Sequence, residues 1–125
     1  MPERVVIFGS RFNRRGIPPE TVRKARRMTY RAVAELPEGT IVVNGMAPNG
    51  VDFWAENAAV EMGYDVERYF ADWDTHGKAA GSIRNGVMAK VADRGVGIWD
   101  GRSRGTNNMA EQLKRLGKPV EVRRV

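Results

Sequence analysis

The chain has 125 residues, 42% hydrophobic and 29% charged, a globular balance that excludes a disordered polypeptide and fits one domain over residues 1–125. With no cysteine and one histidine it holds neither a disulfide framework nor a convincing transition-metal cluster. No apolar run approaches the roughly 20 residues of a membrane span, whereas a net charge of +6 calls for a polyanionic partner to be considered.

The N-terminal stretch MPERVVIFG lacks the layout of a signal peptide, so the cytoplasm is the expected compartment. Its VVIF (residues 5–8) reads as a first strand, continuously apolar and therefore covered on both faces. PPETVRKARRMTYRAVAEL follows as a helix with proline at its start. Val22, Ala25, Thr29, Ala32, Val33 and Leu36 share one arc, opposite Arg23, Lys24, Arg26, Arg27 and Arg31. Residues 1–36 carry 9 Lys and Arg against 3 Asp and Glu, while the rest of the chain balances at 12 against 12. All of the excess positive charge thus belongs to the first strand–loop–helix unit.

TIVV (40–43) is a second buried strand, and VDFWAENAAVEMG a helix with Val51, Trp54, Ala55, Ala58 and Met62 on its inner face. YDVERYF (64–70) and PVEV (119–122) are mixed in character and suit sheet edges. AAGSIRNGVMAKVA aligns Ile83, Val87 and Val91 on a helix that Gly86 weakens. VGIW (96–99) is the third buried strand, and TNNMAEQLKRLG a last helix aligning Met109, Leu113 and Leu116. Alternating strands and helices joined by right-handed crossovers predict a Rossmann-like three-layer α/β/α domain. Its sheet has five mostly parallel strands in the order 3-2-1-4-5, and a ligand crevice opens at the carboxyl ends of strands one and four.

Three loops converge on that crevice: GSRFNRRG (9–16), NGMAPNGVD (44–52) and DGRSRGT (100–106). Glycine lets backbone amides approach a phosphate, and the helix N-terminus behind each loop favours an anion. Ser103 or Thr106 offers a hydroxyl, and Arg11, Arg102 or Arg104 a bidentate cation. From the segment after strand three, Trp73 or Phe12 of the first loop can stack on a base, Lys78 can meet a phosphate, and Arg84 with Asn85 opens a helix toward the crevice. Ordinary βα turns also contain Gly, Asn, Asp and Ser, so each loop alone means little; their convergence carries the argument. GRSRG formally fits G-x-S-x-G, but the nucleophile elbow needs a histidine later in the chain and the single histidine precedes it, which leaves only a triad in another order. GVGIWDG misses the last glycine of G-x-G-x-x-G, and there is no P-loop. Among the acidic residues, Asp52 suits a helix-start dipole contact and Asp100, at a strand end, a ligand contact. No catalytic pair stands out.

VVIFGSR, VVNGMAPNGVDFWAENAA, ADWDTHGKAAGSIRNGVM and VGIWDGRSRGTNNMAEQLKRLGKPVEV together resemble the SLOG superfamily, in particular its YspA/YpsA-related branch. The resemblance covers nearly the whole chain. It implies a Rossmann-like fold that binds nucleotides or nucleotide-derived ligands, and a homodimer or higher homo-oligomer. By motif, it places ligand contacts at Gly9, Ser10, Arg11, Gly45, Gly50, Asp52, Trp73, Lys78, Arg84, Asn85, Ser103, Gly105 and Thr106, to which the strand-end position of Asp100 adds one more. The related Lonely Guy phosphoribohydrolases follow their Gly-Thr pair with paired glutamates; here Asn108 and Met109 stand at those positions. An amide cannot take a proton or steady an oxocarbenium ion as a carboxylate does. The expectation is therefore a domain that binds or senses a phosphorylated nucleotide-like small molecule, with no cofactor, no metal and no membrane partner. An N-glycosidase or phosphoribohydrolase acting on nucleoside monophosphates is the alternative. A single-stranded nucleic-acid-binding module ranks third, because distantly related DprA-type domains bind single-stranded DNA and the basic first helix can track phosphates.

Overall fold

The computed structural model describes residues 1–125. Five strands form one sheet: β1 (Arg4–Gly9), β2 (Ile41–Asn44), β3 (Asp65–Arg68), β4 (Arg94–Trp99) and β5 (Val120–Arg124). The order is β3-β2-β1-β4-β5 and every pairing is parallel. The expected Rossmann-like α/β architecture is therefore present. The helices are α1 (Pro19–Ala34), α2 (Val51–Glu61), a one-turn α3 (Trp73–His76), α4 (Ala80–Val91) and α5 (Arg104–Arg115).

Strand alternation splits the core into two layers. Val5, Ile7, Val42, Val96 and Ile98 face one way and pack under α1 and α2. Val6, Phe8 and Val43 face the other way against Met88, Ala89, Met109, Ala110 and Leu113 of α4 and α5. Gly97 makes room for the Phe8 ring, since a Cβ there would lie 2.7 Å from it. Edge strands β3 and β5 are only partly covered, as their mixed sequences imply.

Three helix faces depart from the periodicity. On α4, Ile83 and Val87 are 44% exposed, and the sheet receives Met88 and Ala89 instead. The same rotation buries Asn85: its Nδ2 donates to the Gly105 carbonyl and to Asn108 Oδ1, across the α4–α5 junction. Met62 and Leu116 are also exposed, because each caps its helix and sits past the last turn over the sheet. The residues after β3, where no helix is expected before Ala79, coil into α3 and a single 3-10 turn. Asp72 starts that coil by accepting the Thr75 amide at 3.1 Å.

Candidate functional site

β1 and β4 leave the sheet side by side, and their following loops diverge toward α1 and α5. Between them opens a crevice of about 610 Å³. Arg11 and Arg14 come from the first loop, Trp73 and Lys78 from the α3 region, Arg84 and Asn85 from α4, and Arg102 to Thr106 from the loop and start of α5. The three groups that the sequence places together, Arg11, Arg84 and the turn around Ser103, do share this one cavity.

The turn after β4 is locked from within. Asp100 Oδ1 accepts the amides of Arg102 and Ser103 at 2.7 and 2.8 Å, while Ser103 Oγ caps α5 by accepting the Thr106 amide at 3.2 Å. Thr106 Oγ1 donates to Ser103 Oγ at 3.0 Å and lies 3.3 Å from Ser10 Oγ, which itself accepts the Asp100 amide at 3.0 Å. The Ser103 and Thr106 hydroxyls are thus engaged with each other rather than presented outward. The amides of Arg104 and Gly105, in the first turn of α5, keep no internal acceptor and point an unsatisfied helix start at the cavity. No side chain crowds Gly105: a Cβ there meets nothing within 4 Å.

The opposite wall is held by buried polar groups. Asn44, fully buried at the end of β2, donates through Nδ2 to the Asp52 carbonyl at 2.8 Å and accepts the Met46 amide at 2.7 Å. Gly50 turns the chain into α2 with φ 74°, its Cα packed on the Arg11 backbone where no side chain fits. Asp52 Oδ2 accepts the Ala47 amide at 3.1 Å, and Arg84 Nη1 donates to the Gly45 carbonyl. Burial pushes the Asp52 carboxyl above its ordinary value, opposed by the Ala47 amide and by the charges of Arg84 and Arg11. Burial likewise makes the Arg84 guanidinium easier to deprotonate, although Asp52 counters this. At Asp100, burial works against ionisation, but the Arg102 and Ser103 amides and Arg14, 3.7 Å away, hold its carboxyl below the ordinary range.

Of the expected ligand residues, Gly9, Arg11, Asp52, Trp73, Lys78, Arg84, Asn85, Asp100, Ser103, Gly105 and Thr106 line the crevice. Ser10, Gly45 and Gly50 lie behind its wall. Ser10 is 1% exposed and ties β1 to the β4 turn; Gly45 and Gly50 give space to Arg84 and Arg11. Phe12, a candidate for stacking on a base, borders the crevice but is only 7% exposed, its ring packed into the core 6.0 Å from Trp54. That leaves Trp73, half exposed and braced on Gly81 of α4. Arg14 and Asn108 also line the crevice, and Asn44 braces its wall from behind. Asn44 is legible only as the polar end of an apolar run.

No protein-family profile matches the chain. Two solved structures share its fold over 97% of its length. DNA processing protein A (DprA) from Streptococcus pneumoniae matches with a TM-score of 0.68 at 17% identity. DNA processing protein A from Helicobacter pylori, described for its single-stranded DNA binding mode, matches with a TM-score of 0.65 at 19% identity. The present chain spans 50% and 65% of those two proteins, so the likeness is one of fold. In sequence, it is 35% identical to the Gene 61 protein of Mycobacterium phage D29 over 127 aligned positions, covering 94% of this chain and 93% of that protein. The chain belongs to the family of the Gene 61 protein of Mycobacterium phage D29.

Proposed function

We propose that the domain binds single-stranded nucleic acid, holding one phosphate of the strand at the start of α5 and a neighbouring base against Trp73. The observation that carries this reading is a set of free cations around one helix start. Arg11, Lys78, Arg102 and Arg104 all line the crevice and none makes a salt bridge. Charge-assisted hydrogen bonds to phosphate are the strong kind, about 1.5–3 kcal/mol each. An exposed indole beside a basic groove is the pairing that single strands use without sequence preference. The fold shared with the DprA structures, one of them described for binding single-stranded DNA, favours a strand over the free nucleotide-like molecule that the motifs alone suggest.

Lys78 and Arg102 are exposed and their side chains hold no other group in place, so they report on binding alone. Arg84 does not, because it also ties down Gly45. A Lys78→Ala, Arg102→Ala variant is expected to lose tenfold or more in affinity for a fluorescent oligothymidylate of about six nucleotides at low salt, with its thermal midpoint unchanged. Affinity equal to that of the parent protein overturns the assignment. The second reading, a free phosphorylated nucleotide, is favoured by the open amides of Arg104 and Gly105, which suit a single terminal phosphate. It becomes the better one if a mononucleotide binds by calorimetry and the oligonucleotide does not.

A further inference from the structure

We infer that the outer face of α1 is a second phosphate-contacting surface, continuous with the crevice, so that the bound strand runs from the first turn of α5 across the β1 loop and down α1. This rests on the nucleic-acid reading of the crevice and extends it to a path and a minimum length. Arg23, Arg27 and Arg31 recur every four residues on the side of α1 opposite buried Ala25, Thr29, Ala32 and Val33, with Lys24 beside them. The repeat sets the three arginines about 6 Å apart along the axis, a step matched to successive phosphates of an extended strand.

All four side chains are exposed and none meets a carboxylate. Several arginines elsewhere are paired, Arg4 with Glu67, Arg68 with Glu56, Arg94 with Glu3, and Arg123 with Glu35 and Glu121, and the unpaired Arg115 and Arg124 are not part of a repeating row on one helix face. Like charges at i, i+4 spacing destabilise a helix, so folding gains nothing from this ridge. Arg26, by contrast, is turned aside over the Tyr30 ring at 4.8 Å. The ridge follows the crevice loop directly in the chain. α1 starts at the carboxyl end of β1, directly after the loop whose Arg14 lines the cavity and whose Arg15 is exposed beside it.

The test compares oligothymidylates of about six and about twenty nucleotides across a salt series. Arg23→Gln, Arg27→Gln, Arg31→Gln is expected to leave the short strand bound as in the parent and to weaken the long one tenfold or more. For the long strand, the slope of log affinity against log salt falls by about 2, three phosphates at about 0.7 each. A control, Lys90→Gln, Lys114→Gln, Arg115→Gln, removes the same charge from α4 and α5 and is expected to change neither.

Equal losses in both triple variants, or unchanged long-strand binding in the α1 variant, overturn the proposal. So does an α1 variant that loses anionic vesicles while keeping both oligonucleotides. Should the parent bind the long strand through α1 but not the short one, the α1 surface stands and the crevice reading falls. Binding of neither length overturns both.

Discussion

At the scale of single residues, the site is a contest between holding itself together and leaving charge free for a ligand. Asp100 belongs to the first side. Its carboxylate takes two amides of the turn that a bound phosphate would otherwise use, and in return fixes the start of α5. Because its folded-state pKa lies below the ordinary 3.8, its stabilisation is complete well above that value and is lost as the pH falls through the folded value. Asp52 has the opposite sign: its raised folded value makes acid relieve strain rather than cause it. Comparing the parent with Asp100→Ala cancels the Asp52 contribution. The variant is expected to be about 1–2 kcal/mol less stable at neutral pH, with the gap narrowing toward pH 3 in denaturant titrations. A gap that stays constant or widens in acid contradicts the role given to Asp100. Ser103→Ala, which removes the α5 cap, is expected to cost about 1 kcal/mol.

Elements were legible where a run was long and uniform. VVIF, TIVV and VGIW are doubly buried central strands because nothing but apolar burial suits such runs. Faces of helices were less legible. Periodicity puts Ile83 and Val87 inward, but α4 buries Met88 and Ala89 in their place, a rotation that also lets Asn85 hydrogen-bond to the α5 start. A polar residue with distant partners has no signature in local spacing. The same limit hid Phe12, whose position in a polar loop gives no hint that it folds back onto Trp54. At the sheet itself, Gly97 is fixed by the Phe8 ring across the strand pair. Gly97→Val is expected to lower stability by about 1–3 kcal/mol or more through overpacking. A thermal midpoint equal to the parent's would show that the ring has another place to go.

Over the whole molecule, charge is sorted by place. Arg4, Arg68, Arg94 and Arg123 on the strands are paired with carboxylates, whereas the cations at the crevice and on α1 are mostly free. The sequence located both free groups, one through glycine-rich loops at the switch point and one through the uneven charge count. What it could not supply is which loop amides remain open, since that depends on Asp100, Ser103 and Thr106 satisfying one another in space. It also could not separate the Ser10, Gly45 and Gly50 scaffold from the residues that face the cavity, because both kinds occur in the same loops.

In our proposal a phosphate-bearing strand sits at the carboxyl ends of β1 and β4. Amide chemical-shift mapping with a short oligothymidylate tests it most directly. Shifts are expected at Arg104 and Gly105, in the loop through Arg11–Arg14, and at the Trp73 indole. A bound oligonucleotide that leaves those signals in place and moves only the groove between Ile83, Lys90 and Leu116 would contradict the account.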